Sequence, residues 1–320
     1  MIQNKIIAFR NDRFGEFLLN IPVFRELKQR YPQTGLTVVV NPDVKPLAAR
    51  IPFIDKILCW ENRRHGFLEK INFIRVLREL KADIAIILNP SEELNFMVYF
   101  SGIPIRVGYN RKSAFFLNQR IQDRKNEGLR HEVSYNLDLL KAIGMNPAAP
   151  DFTDSLRIEE EDFPSARRGF LGLEDKQFIV IHPWASNSQK EWGGLNFRRL
   201  SERLASETKL KMVFVGVKDD ILRAQDLCRN LEAINLTGET TLLELAGLLK
   251  KSRLLITNDS GPMHLAAVLG VPTVAIFRKS PPAVSARRWG PVGGHHRIIE
   301  NDIIGDIQVS EVYDASKKNL

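Results

Sequence analysis

Leu255-Ile256-Thr257-Asn258-Asp259-Ser260-Gly261-Pro262-Met263-His264-Leu265-Ala266-Ala267 is the most informative stretch of this 320-residue chain. An apolar, β-branched run ends in Asp-Ser-Gly, a proline falls where a helix makes its first turn, and a second apolar run follows. A buried strand delivered directly into a helix N-terminus is half of a parallel βα unit. The amides of Ser260, Gly261 and Met263 fall where a helix offers no carbonyls of its own to bond. With the helix dipole behind them they make a cradle for a pyrophosphate. A plainer reading stays open: a helix capped by Asp259 or Ser260, with His264 in the core.

Outward from this stretch, strand and helix patterns alternate in both directions. In the second half the strand patterns cover residues 178–182, 211–215, 234–236, 254–257 and 273–277, with helical patterns over 195–207, 219–231, 241–250 and 261–269. In the first half strands are expected at 5–9, 36–40, 56–60, 84–88 and 106–109, and helices at 17–31, 70–80, 94–101 and 131–143. Residues 110–130 are basic and without period, which reads as a long loop. The Pro- and Asp-rich segment 147–157 reads as a linker before an acidic run at 159–162. The expectation is an α/β chain of two Rossmann-like domains, 1–155 and 156–320, with parallel sheets facing across a cleft and ligands at the carboxyl ends of the strands.

Composition agrees with an ordinary globular protein, at 44% hydrophobic and 26% charged residues. The longest mostly apolar stretch, 264–277, includes His, Gly and Pro and falls short of the roughly 18 residues a bilayer demands. The N-terminus enters a strand pattern without a secretory h-region, so a cytoplasmic location is expected. Cys59 and Cys228 have no CxxC partner and read as buried free thiols. The net charge of +8 lies entirely in residues 1–150, which hold 23 Lys and Arg against 15 Asp and Glu; the remainder is balanced at 23 against 23. A basic half suits nucleic acid, an anionic membrane or a phosphorylated substrate, and no nucleic-acid-binding motif is present.

Two further constellations sit at strand ends. Phe9-Arg10-Asn11-Asp12-Arg13-Phe14-Gly15-Glu16 joins the first strand to the first helix. Glu16 can act there as a base on a bound hydroxyl, with Asp12 its local competitor, or simply as an acid on the helix dipole. His182-Pro183-Trp184-Ala185-Ser186-Asn187-Ser188-Gln189-Lys190-Glu191-Trp192 follows the first strand of the second half. Ser186 and Lys190 suit an anion held by amides and one point charge, or Lys190 is an exposed lysine beside a core tryptophan. GxGxxG, GxxxxGK[ST], HExxH and GxSxG are missing, and His295-His296 reads as a surface pair in a turn. No metal site and no cofactor are expected.

The Arg-Phe-Gly-Glu turn, Lys190-Glu191-Trp192, Asp259-Ser260-Gly261-Pro262-Met263-His264 and Arg288-Trp289-Gly290-Pro291 together resemble the glycosyltransferase family 9 heptosyltransferases, in the same order over nearly the whole chain. The resemblance implies a GT-B fold, with acceptor on the N-terminal domain and nucleotide sugar on the C-terminal one. It implies metal-independent, inverting transfer of heptose from ADP-heptose to a sugar of the lipopolysaccharide inner core. It assigns Glu16 as catalytic carboxylate and Lys190 to the donor phosphates, with Asp259, Ser260, Gly261 and His264 as the donor block. Asp220 would hold the ribose and Thr240 the adenine segment. This chain carries Glu16 where the family has Asp, and Arg278-Lys279-Ser280-Pro281-Pro282 where it has Gly-Pro-Thr-Asp-Pro. Arg63, Arg64 and Arg120, with Lys70, Arg111, Lys112, Arg124 and Lys125, are candidates for a basic surface meeting the acceptor and an anionic membrane. Two other classes stay open: a GT-B enzyme of different donor, and a non-catalytic two-lobe binding protein.

Overall fold

A computed structural model describes residues 5–320. The chain divides after Arg157 into two compact units. The first holds β1 (Ile6–Arg10), β2 (Leu36–Val40), β3 (Lys56–Cys59), β4 (Ile84–Ile87), β5 (Ile105–Tyr109) and β6 (Gln119–Ile121), all parallel, in the order β3-β2-β1-β4-β5-β6. The second holds β7 (Phe178–His182), β8 (Lys211–Phe214), β9 (Ala233–Asn235), β10 (Leu254–Asn258), β11 (Thr273–Arg278) and β12 (His296–Asn301), again parallel, in the order β12-β11-β10-β7-β8-β9. The two orders are the same topology: the first strand of each unit lies between its second and its fourth. Winding therefore reverses between β1 and β4, and between β7 and β10. Right-handed crossovers then send helices to opposite faces of each sheet.

Covering both faces explains the strand sequences. All five residues of β1, β7 and β10 are buried, and each strand reads as a nearly unbroken apolar run rather than an alternating one. One core gathers Phe9, Trp60, Phe73, Leu77 and Met97. Another gathers Trp192, Phe197, Leu204, Phe214 and Tyr313, where the Trp192 indole N–H donates to the Ile307 carbonyl at 2.7 Å. Each such side chain contributes about 1.5–3 kcal/mol on burial, so these clusters carry most of the favourable folding energy.

Several sequence expectations change. The helix expected over 17–31 is two helices, Phe14–Leu18 and Ile21–Arg30. Pro22 lacks the N–H to continue the first, and the Asn20 side chain donates to the Glu16 carbonyl at 2.7 Å. Residues 110–130 contain the turn Ala114–Phe116 and β6, a three-residue edge strand too short to show a period. His296 opens β12 and bonds the Val292 carbonyl through Nε2 at 2.7 Å, so only His295 is fully exposed. The 147–157 segment is pinned to the first unit by Arg25 to Asp151 (3.0 Å) and by the Arg157 amide to Arg50 (2.9 Å). Cys59 and Cys228 are free but half-buried, and burial pushes the Cys228 thiol up to about 11. Among the described residues no helix is long and apolar enough to cross a membrane.

Candidate active site

Reversal of winding leaves a crevice at the carboxyl ends of the two strands involved, and open α/β sheets bind ligands there. In the second unit those ends are His182-Pro183 and Asn258-Asp259. Asn258, fully buried, ties them together: its amide donates to the Pro183 carbonyl at 2.7 Å, and its carbonyl accepts the Trp192 amide at 3.1 Å. The loop is thereby folded back so that Lys190 Nζ reaches Asp259 Oδ2 at 2.5 Å. Ser260 precedes the helix Gly261–Val268 in extended backbone conformation, with Pro262 in the first turn. The Thr257 hydroxyl holds the Ser260 hydroxyl at 2.9 Å and lies 3.4 Å from His182 Nδ1. Met263, expected to offer its amide, donates it to the Ser260 carbonyl at 3.2 Å, because the turn tightens there. The amides of Ser260 and Gly261 remain as the first-turn donors.

The same crevice is bordered by β8. A side chain at Gly216 would place its Cβ 2.5 Å from the Trp184 indole nitrogen, so only glycine lets this backbone approach. Arg223 lies over the Trp184 ring at 4.6 Å and pairs with Glu191 at 2.5 Å. Glu191 in turn accepts the Ala185 amide at 3.2 Å. Asp220 accepts the Val217 amide at 3.2 Å, and burial holds its carboxyl above the usual carboxylate range. Thr240 is half-buried and stands one residue before Thr241, the N-cap of the helix Leu242–Lys251. Ser186 is exposed on the loop after β7, and His264 is buried in the first turns of its helix.

In the first unit the strand ends at the reversal are Arg10-Asn11-Asp12 and Leu88-Asn89. Arg10 is buried, with Nε on Asp12 Oδ1 at 2.8 Å and Nη1 on the Leu88 carbonyl at 3.1 Å. Asn11 donates to the Trp60 carbonyl at 3.1 Å and accepts from Asn89 at 3.0 Å, repeating the device of Asn258. A cavity of about 640 Å³ opens there, lined among others by Asn11, Asp12, Trp60, Arg63, Arg64 and Asn89. Glu93 anchors its wall, accepting from the Trp60 indole (3.0 Å), His65 (2.8 Å) and Lys70 (3.0 Å). Burial works to raise the Glu93 carboxyl, but these three bonds outweigh it and hold it below the ordinary range.

Glu16 lies in the first turn of Phe14–Leu18, half-buried, 3.7 Å from Arg13. Burial first, and the Asp12 charge second, push its carboxyl up. The dipole of a helix only five residues long offsets little of that desolvation. Asp12, not Glu16, is the acid of this turn that lines the cavity. Arg63 and Arg64 do line it, and Arg63 also pairs with Glu69. Arg120 stands exposed on β6, at the opposite edge of the sheet from β3, and is not brought together with them. Lys125 is no surface cation at all. It is buried, its ammonium held by Glu132 (2.5 Å) and Asn136 (2.7 Å) over the Tyr109 ring, and burial pushes it down to about 8. Asn11, Asn89, Trp60 and Glu93 are not singled out by the sequence; a polar residue just past the first and fourth strands is a signal for Asn11 and Asn89, and none marks Trp60 or Glu93. Among the described residues no group of three or more His, Cys, Asp or Glu gathers in a metal-binding arrangement.

Comparison with known proteins bears on this arrangement. Lipopolysaccharide heptosyltransferase 2 of Escherichia coli K12 is 26% identical over 319 residues, spanning 93% of this chain and 91% of the relative. The solved structure of E. coli ADP-heptose LPS heptosyltransferase II shares the fold with a TM-score of 0.83 at 23% identity, covering 98% of each chain. The glycosyl transferase family 9 structure from Veillonella parvula DSM 2008 does so at 0.84 and 23%, covering 100% of this chain and 98% of that one. Residues 71–314 match the family described as glycosyltransferase family 9 (heptosyltransferase). With well over half its length inside that match, the chain belongs to glycosyltransferase family 9 and is a glycosyl-transferring enzyme of the heptosyltransferase type.

Proposed function

We propose that this enzyme moves heptose from ADP-heptose to a sugar of the lipopolysaccharide inner core, with inversion and without a metal ion. The observation that carries the proposal is the Lys190–Asp259 pair at the open first turn of Gly261–Val268, on the winding reversal of the second unit. A nucleoside diphosphate is what that combination suits: one point charge, two first-turn amides and a small hydroxyl residue. The names of the similar proteins supply the donor, ADP-heptose, and the lipopolysaccharide acceptor.

In this reading the second unit binds the donor. Lys190 and the amides of Ser260 and Gly261 meet the diphosphate, Asp220 the ribose and Thr240 the adenine segment, while Ser186, Asp259 and His264 complete the pocket. The first unit binds the acceptor across the turn that runs from Arg10 to Glu16, with the reacting hydroxyl at Glu16 and the neighbouring sugars in the cavity lined by Asn11 and Asp12, Arg63 and Arg64 toward its anionic groups and Arg120 on the outer surface. The acceptor hydroxyl oxygen attacks the anomeric carbon from the face opposite ADP, and its proton passes to the Glu16 carboxylate. The carbon–oxygen bond to the diphosphate breaks, and its electron pair leaves with the phosphate oxygen. Stabilising that developing charge is the task of Lys190 and the two amides. The basic excess of the first unit meets an anionic membrane surface that presents the acceptor.

A transfer assay with ADP-heptose, ADP-glucose and UDP-sugars, each run with chelator and with magnesium, tests the reading. Product only from ADP-heptose, of inverted configuration and unaffected by chelator, is expected. A strict magnesium requirement overturns the metal-free mechanism, and preference for a UDP-sugar overturns the donor.

A further inference from the structure

We infer that the aromatic cluster at the carboxyl end of the helix Glu92–Phe100 is the surface by which this enzyme seats on an anionic phospholipid bilayer. The inference deepens the membrane-contact reading above and rests on it. Five aromatic rings form one contiguous patch. Phe96 and Phe100 lie 4.5 Å apart, Tyr99 and Phe116 5.2 Å, and Phe115 and Phe116 4.3 Å between centroids. The outer members face solvent, Phe115 at 72%, Tyr99 at 45% and Phe100 at 43% exposure. Stacking among exposed rings cannot be explained by the core, because the sheet side of this helix is already filled by Leu94, Met97 and Val98. A contiguous apolar patch of this kind on a surface marks an interaction site.

What distinguishes a bilayer from a protein partner is the charge around the rings. Arg78 holds the Phe100 carbonyl at 2.8 Å, and Arg106 lies over the Tyr99 ring at 5.3 Å, so cations border the patch on two sides. Arg75 stands exposed one turn before Arg78 on the helix Phe67–Leu80. Across residues 63–120 the sequence holds ten Lys or Arg against five Asp or Glu. Amphipathic rings with a cationic surround suit the headgroup layer of an anionic leaflet, where the rings enter the interface and the guanidinium groups stay among the phosphates. The placement also serves the reaction. A nine-residue helix spans about 12 Å, and the amino end of this one, Ser91 to Leu94, lines the acceptor cavity. A lipid-anchored acceptor would have that distance to climb.

Co-sedimentation with vesicles of phosphatidylethanolamine and phosphatidylglycerol, against phosphatidylcholine alone, tests the inference without acceptor or donor. Wild-type protein should partition to the anionic vesicles and much less to the neutral ones. The double variant Phe100→Ser/Phe115→Ser should lose at least about tenfold in partitioning, and Arg75→Gln a smaller part, both with an unchanged urea unfolding midpoint as the check on folding. Phe115→Ser alone, at the most exposed ring, serves if the double variant does not fold. Wild-type protein that ignores anionic vesicles overturns the membrane reading as a whole. Wild-type and variants that bind equally overturn only the assignment of this patch. Concentration-dependent dimerisation of wild-type protein, abolished by the same substitutions, reassigns the patch to a second copy of the chain.

Discussion

Arg10 and His182 occupy the same place in two sheets of the same topology, the last residue of the first strand, and both are buried. One carries a charge and the other does not. Arg10 has Asp12 against its Nε, the Leu88 carbonyl, and the fields of Glu132 and Glu16. The His182 imidazole lies 3.4 Å from the Thr257 hydroxyl, and burial pushes it down to about 4. The first unit thus builds its reversal crevice around a buried cation surrounded by carboxylates. The second has a neutral imidazole at that place and sets an ion pair, Lys190 with Asp259, at the neighbouring strand end. On the proposed reading, a base with a raised pKa benefits from the acids around Arg10, and a diphosphate from a lysine brought to the strand end.

The largest effect should come from breaking the buried charge arrangement of the first unit. Lys125→Ala removes the ammonium paired with buried Glu132 and should cost about 3–5 kcal/mol of stability, whereas Lys125→Ala/Glu132→Gln should recover much of it. Urea unfolding of the two variants checks this. Equal losses in both would mean that packing against Tyr109, not charge, is what the lysine contributes.

Lys190→Ala tests the other half of the comparison. It removes the point charge and the cation that pairs with Asp259 at the proposed diphosphate site, so turnover should fall by about two to three orders of magnitude. Steady-state transfer kinetics read the effect, and activity within about threefold of wild type would remove Lys190 from the mechanism. Glu16→Gln should retain ADP affinity, since the proposed donor site is on the other unit, and lose at least about a hundredfold in transfer. The wild-type rate should fall as pH drops through a Glu16 pKa that burial and Asp12 hold above the ordinary carboxylate value, and this acidic limb should vanish in Glu16→Gln. Asp12→Asn is not the mild control it resembles in the sequence, since Asp12 is the counter-charge of buried Arg10. It should lower stability as well as rate, and a variant inactive yet fully stable would make Asp12 the base.

How much of this was legible in the sequence follows from how each feature is encoded. Central strands such as Phe178–His182 and Leu254–Asn258 are continuous apolar runs, and their ends bring the phosphate cradle with them. The edge strands Gln119–Ile121 and His296–Asn301 carry no such signal, the first for its shortness and both for their exposed, polar residues. Nothing local distinguishes Lys125 from Arg124; its burial depends on Glu132, Asn136 and Tyr109, contributed by other elements. The crevice of the first unit was invisible for the same reason. Asn11, Asn89 and Trp60 are far apart in the chain, and only the order β3-β2-β1-β4 makes them neighbours.

The smallest effect concerns His182 itself. In the unfolded chain its imidazole titrates near 6.5, while in the folded unit it stays neutral until about 4. As pH falls below the unfolded value the unfolded state takes up a proton that the folded state refuses, so stability is full near neutrality and declines as pH drops from about 6.5 toward 4. At pH 5 the loss should be about 2 kcal/mol, from roughly 1.4 kcal/mol per pH unit over that interval. His182→Gln removes the titration and should flatten the decline. Hydrogen exchange at the β7 and β10 amides reads the second unit directly, and the β1 and β4 amides serve as an internal reference, because Arg10 stays protonated throughout the range. A decline of the same size in the His182→Gln variant would mean that other groups of the second unit carry its acid sensitivity, and the contrast between a charged and a neutral strand end would then have no consequence for stability.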